Sequence, residues 1–129
     1  MMETFSVSGR NGYRPEHYQN AEKAVNLLYK TGIRILAATD ANSGSFAPEV
    51  AFGPSFHREM ELLVNAGMTP TEVLTSATSQ NADIFGINDS GMIKAGKRAD
   101  LLLIEGRPDI TISDTMKIRQ LWIGGTPIL

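Results

Sequence analysis

The chain has 129 residues, 42% hydrophobic and 20% charged, with a formal net charge of −2 at pH 7. That composition fits one ordinary globular unit. It excludes a disordered chain and gives no electrostatic reason to expect nucleic acid or an anionic membrane as partner. There is no cysteine and there are two histidines, so disulfides and thiolate metal sites are excluded and any metal must be held by His and carboxylates.

No apolar run is long enough to cross a bilayer, and residues 1–8 lack a basic stretch followed by an apolar core, so a cytoplasmic protein is expected. Residues 1–14 carry Gly9, Asn11 and Gly12 with little periodicity and read as an irregular lead-in. Pro15 suits a first helical position. After it Tyr18, Ala21, Ala24, Val25 and Leu28 share one face at helical spacing, so a helix is predicted over 15–29, closed by Gly32.

Residues 33–40 read Ile-Arg-Ile-Leu-Ala-Ala-Thr-Asp. A short apolar run bounded by turn residues predicts a strand over 33–38, buried on both faces as in a parallel sheet. Asp40 then stands at the C-terminal end of that strand, where α/β folds place their chemistry. The same carboxylate also fits a simple turn cap. The stretch 41–54 holds Gly44, Pro48, Gly53 and Pro54 and reads as a long loop. Leaving the strand beside Asp40, it offers Asn42 and Ser43 as substrate contacts, with Ser45 and Phe46 beyond.

Ser55 is read as the cap of a helix over 56–66, with Phe56, Met60, Leu63 and Val64 at helical spacing and Gly67 at its end. Thr69-Pro70-Thr71-Glu72 is a strong start signal for a helix over 70–85 that Gly86 stops; a polar Thr-Ser-Gln-Asn interval interrupts its apolar positions. Residues 91–97 look like a short extended piece and a turn. Leu101 to Ile104 and residues 118–123 read as strands, and Gly124-Gly125 is a hairpin signal before a last strand. A strand apolar on both faces needs neighbours for its backbone groups, and the single parallel strand at 33–38 has none elsewhere in the chain.

Taken in order, Ala38-Thr39-Asp40, then the run from His57 to Pro70, then Ala77-Thr78, then Gly91-Met-Ile-Lys-Ala-Gly-Lys-Arg-Ala-Asp-Leu101, closely resemble the C-terminal part of the metal-dependent amidohydrolase superfamily, nearest to its imidazolonepropionase and prolidase-like branch. Each motif is weak alone; their order and spacing are specific. The resemblance implies an α/β fold: the C-terminal fragment of a (β/α)8 TIM-like barrel, with its last strand and flanking helices over 1–90, plus part of a small β-sandwich over 91–129. It implies that Asp40 is a metal ligand that also takes a proton from the attacking water. A metal acidifies its bound water, and a carboxylate can pass the proton on to the leaving amine. The implied cofactor is a divalent metal, zinc or else manganese or iron, and the implied reaction is hydrolysis of an amide, cyclic amide or other C–N bond in a small molecule.

The chain departs from that pattern. The family's His-x-His pair and the ligands of the middle strands have no counterpart here, and a full barrel takes about 250 residues. The expectation is therefore a segment that is inactive and metal-free by itself, completed by self-association into a homo-oligomer or by a missing N-terminal barrel chain. The competing reading is a non-catalytic remnant or assembly module. His57 is not a ligand in the family pattern, and a local packing or hydrogen-bonding role is expected for it. Asp83, Asp89, Asp100, Asp109 and Asp114 read as surface, cap or ion-pair residues.

Overall fold

The computed structural model describes residues 15–42 and 50–128. It is a small α/β unit: helices and one irregular segment around a compact core, then a three-stranded antiparallel sheet. The helices are α1 (Pro15–Lys30), α2 (Pro54–Asn65), α3 (Pro70–Thr75) and α4 (Asn81–Ile84), with a π-turn (Ser76–Gln80) running α3 into α4. The strands are β1 (Leu101–Ile104), β2 (Ile118–Ile123) and β3 (Thr126–Pro127), with a 3₁₀ turn (Ile112–Met116) between β1 and β2. Among the described residues no helix is long and apolar enough to cross a membrane.

The predicted boundaries of the helices hold to within two residues. Gly32, Gly67 and Gly86 end them in one way: the N–H of the residue after the glycine reaches back five residues, as in Ile33 to the Leu28 carbonyl at 3.1 Å and Met68 to the Leu63 carbonyl at 3.2 Å. The Thr69–Glu72 capping box is fully formed. Its carboxylate also accepts the Tyr29 hydroxyl at 2.8 Å, so one side chain caps α3 and ties α1 to it. These hydrogen bonds, those from Thr69 first, hold the Glu72 carboxyl below its ordinary value, and the Glu72 bond pushes the Tyr29 phenol up.

Three expectations need correction. Ser55 does not cap α2: Gly53 does, without a side-chain bond, because Pro54 takes the first helical position. The face of α1 that packs is Val25, Asn26 and Tyr29, while Tyr18, Ala21, Ala24 and Leu28 are exposed. Asn26 turns α1 that way by donating to the Ala66 carbonyl at the end of α2, at 2.6 Å.

The third correction matters most. Residues 33–38 form neither strand nor helix. A strand is defined by its partner, and among the described residues no other backbone pairs with this segment. Three of its backbone groups, the Ala37 N–H and the Ile35 and Ala37 carbonyls, bind side chains of the π-turn and α4 instead. Ala37 is nevertheless 1% exposed and lies in the core with Met60, Leu63, Met68, Val73 and Ile112.

The sheet agrees with expectation. β1 pairs with β2 from Leu101–Trp122 to Ile104–Ile118, with a bulge after Leu103, and β2 returns through Gly124-Gly125 to β3. Asp100 pins this end by accepting the Gly124 N–H at 2.8 Å and the Arg98 Nε–H at 2.6 Å. The Gly124 bond is the main reason its carboxyl sits below the ordinary value. Ile112 and Thr115 of the 3₁₀ turn plug into the helical core and join the two parts.

The segment 91–97 is a set of bends and turns that docks on the π-turn through Gly91. Gly91 has φ +84°, and a Cβ there would lie 2.5 Å from the Ala82 Cβ and 3.1 Å from the Ser79 Cα. Gly86, at φ +67°, has open space around it. Gly91→Ala is therefore expected to cost about 2–4 kcal/mol, left-handed strain plus overpacking, and Gly86→Ala only the strain, about 1–2 kcal/mol. Urea unfolding of the two variants checks the difference; equal costs would mean that residues 91–97 do not dock here.

Candidate functional site

The site is built from the end of the irregular segment inward. Ala37 is fastened on one side by two side chains. The Ser76 hydroxyl accepts the Ala37 N–H at 2.7 Å and donates to the Ile35 carbonyl at 2.7 Å. The Asn81 amide donates to the Ala37 carbonyl at 2.9 Å. Ser76 is fully buried. Ala38, Thr39 and Asp40 then emerge into solvent. Beyond them the chain is held again: the Asn42 N–H donates to the Val50 carbonyl at 3.1 Å in an isolated antiparallel bridge, and its side-chain amide donates to the Asp40 carbonyl at 2.8 Å. Asp40 is thus an exposed carboxylate in a short span with anchors at both ends.

The π-turn explains how two side chains reach the same three residues. Residues five apart are rotated by about 140° in an α-helix with 3.6 residues per turn. A turn closed by i→i+5 bonds brings them nearly one above the other. Ser76 and Asn81 are five apart across that turn, and both face residues 35–37. The Oδ1 of Asn81 is buried with no hydrogen-bond partner among the described residues, so the amide is held there by its donor half.

Of the residues singled out in the sequence, Asn42 is half-buried and bound to Asp40 through the backbone, and Ser43 lies outside the described residues. His57 sits on α2 against the 3₁₀ turn, with Nδ1 3.0 Å from the Thr115 hydroxyl. That hydroxyl donates to the Ile112 carbonyl at 2.8 Å, which can only accept, so the His57 Nδ1 carries the proton and donates to Thr115. The hydrogen-bonding role expected of His57 is the one it has. Asp114, its side chain only 13% exposed, pairs with Lys117 and accepts the Arg107 N–H at 2.9 Å; Asp83, Asp89, Asp100 and Asp109 each pair with Arg at the surface. Such exposed pairs contribute little.

Sequence reasoning missed Ser76 and Asn81. The one signal was the polar interval from Thr78 to Asn81 inside an otherwise amphipathic helix. A shallow groove of about 340 Å³ lies between α2 and residues 110–113, lined by Arg58, Glu61 and Asn65 among others, and Asp40 is not part of it.

The described residues do not fit a resident divalent metal by themselves. No group of three or more His, Cys, Asp or Glu is close enough to share an ion. A hydrolytic zinc site takes three protein ligands and a water. An exposed Asp40 offers one.

Comparison with known proteins bears on this arrangement. A model of the amidohydrolase family matches residues 10–128. An imidazolonepropionase from Deinococcus deserti is 28% identical over 107 residues, 78% of this chain and 25% of that protein. An adenine deaminase from Ligilactobacillus salivarius is 30% identical over 56 residues, 43% of this chain and 10% of that protein. Among solved structures, a Xaa-Pro dipeptidase with methionine bound in its active site superposes with a TM-score of 0.72 at 27% identity, covering 83% of this chain and 25% of that one. The chain thus spans a quarter or less of the length of these relatives.

Proposed function

The chain belongs to the amidohydrolase family, and from that premise we propose that it is one segment of a metal-dependent hydrolase of C–N bonds, to which it contributes Asp40. The relatives' names support the bond class: an imidazolonepropionase, an adenine deaminase and a dipeptidase all point to cleavage at a carbon–nitrogen bond. The substrate class is an amide, cyclic amide or related small molecule. The observation that carries the reading is the exposed Asp40 between two anchored points, at the position that the family resemblance assigns to a metal-binding Asp. In this reading residues 33–38, which form no strand here, pair as the last barrel strand only when neighbouring strands are supplied, and β1 to β3 belong to a small sandwich.

Asp40's own part is to accept the proton of the attacking water and return it to the leaving nitrogen. No further step is assigned to this chain, because its described residues do not hold a metal. The remaining ligands come from protein outside the described residues, and without them the chain does not turn over substrate. The loop beside Asp40, with Asn42 and Ser43, is the part of this chain that substrate meets.

The exposed apolar surface supports association. Phe85, Ile93, Leu103, Ile110 and Ile123 are each more than half exposed, and the outer edge of β1 has no paired strand among the described residues. Open edges and apolar patches favour pairing with more protein. The isolated chain is expected to form a homo-oligomer at micromolar concentration and above. Sedimentation equilibrium checks this, and a monomer up to millimolar concentration would contradict it. Association without any activity in a complemented assembly would favour the alternative, a non-catalytic assembly module.

A further inference from the structure

We infer that Ser76 and Asn81 are positioning residues for Asp40, and that the π-turn exists to bring them together. The inference rests on the role proposed above for Asp40. The observations are independent of it.

First, Ser76 has 0% exposure and spends both its acceptor and its donor on one short stretch of backbone. A buried serine at an otherwise apolar helix position, beside Val73 and Ala77, is costly unless its hydroxyl is satisfied. Here its bonds to Ala37 and Ile35 provide that satisfaction. Second, the Asn81 amide binds the next polar group along, the Ala37 carbonyl. Three backbone groups of the segment are therefore fixed by two side chains. Third, an unbroken α-helix would not aim both side chains at that segment, and the π-turn does. Such turns are uncommon and concentrate at functional sites.

The consequence for Asp40 is geometric. In the isolated chain no strand among the described residues pairs with residues 38–40 to set their direction. The Ser76–Asn81 clamp stops the chain at Ala37, and the Asn42–Val50 bridge stops it again two residues beyond Asp40. The span between them has a short reach and a limited set of directions. Removing the upstream clamp leaves Asp40 tethered from one side only.

The test uses the full chain, labelled for NMR, with three variants. Ser76→Ala removes the hydroxyl from a fully buried position. Ser76→Cys keeps a weak donor and acceptor. Asn81→Ala removes the second clamp alone. Amide exchange at Ala37 and backbone order parameters at Ala38, Thr39 and Asp40 are the readouts, with exchange at Leu63 in the core as the control for general stability. In Ser76→Ala, Ala37 exchange is expected to rise at least tenfold more than Leu63 exchange. The Asp40 order parameter is expected to fall from the rigid range, about 0.85, toward the flexible range below about 0.6. Ser76→Cys recovers part of both changes. A purely structural serine would accelerate Leu63 and Ala37 together and leave Asp40 as ordered as before, and that result overturns the inference. If Ser76→Ala does not fold, Asn81→Ala decides: an unchanged Asp40 order parameter overturns the inference, and a lowered one supports it. None of these outcomes depends on catalysis. An Asp40 variant that keeps full activity in a complemented enzyme would remove the catalytic reading and leave the clamp standing.

Discussion

Asp40→Asn, in an enzyme that combines this segment with the remaining ligands, is expected to abolish turnover, with kcat reduced by on the order of 10²–10⁴-fold or more. The size reflects what the substitution removes. Asn has nearly the same shape and volume, but its amide cannot take a proton from water. Stability is expected to stay within about 0.5 kcal/mol, because Asp40 is exposed and its tie to Asn42 runs through its backbone carbonyl. Steady-state kinetics and thermal unfolding on the same preparation separate the two effects. A variant with full activity removes Asp40 from its assigned role. A variant that loses activity together with its fold would mean that the side chain is structural instead.

The parts of this chain that were readable in its sequence are those decided by neighbours in sequence. Thr69, Pro70 and Glu72 start a helix by their own local bonds, and Gly32, Gly67 and Gly86 stop one the same way. Gly124 and Gly125 turn a hairpin whose strands were visible from alternation and apolar content. The parts that were not readable are those decided by neighbours in space. Ile33 to Ala38 has strand composition, but pairing needs a second backbone, and here side chains of the π-turn and α4 take its place. Helix α1 carries apolar residues on more than one face, and the Asn26 bond to Ala66 selects the face that packs. The π-turn leaves no mark in periodicity beyond a polar interval, because a single i→i+5 turn shifts the phase of the downstream helix by only one residue.

The candidate site divides along the same line. Asp40 stood out as the carboxylate closing an apolar run, and its proposed role comes from the family resemblance alone. Ser76 was invisible as a site residue, since a serine in a helix signals nothing until the backbone that passes it is known. The expectation that His57 serves in hydrogen bonding came from its place outside the family's ligand pattern, and Thr115, 58 residues away, is the partner that makes it so.

The central claim is the proposal that the described residues supply one ligand of a metal site, Asp40, and not the site. A single exposed carboxylate binds divalent cations weakly, whereas a hydrolytic site with three protein ligands holds its ion through purification. The described residues contain no cluster that would supply the second and third. The measurement is elemental analysis of the isolated chain after dialysis against metal-free buffer. Zinc, manganese and iron well below one equivalent per chain, together with no hydrolysis of amide or cyclic amide substrates, is the expected result. A stoichiometric amount of any of the three would contradict it.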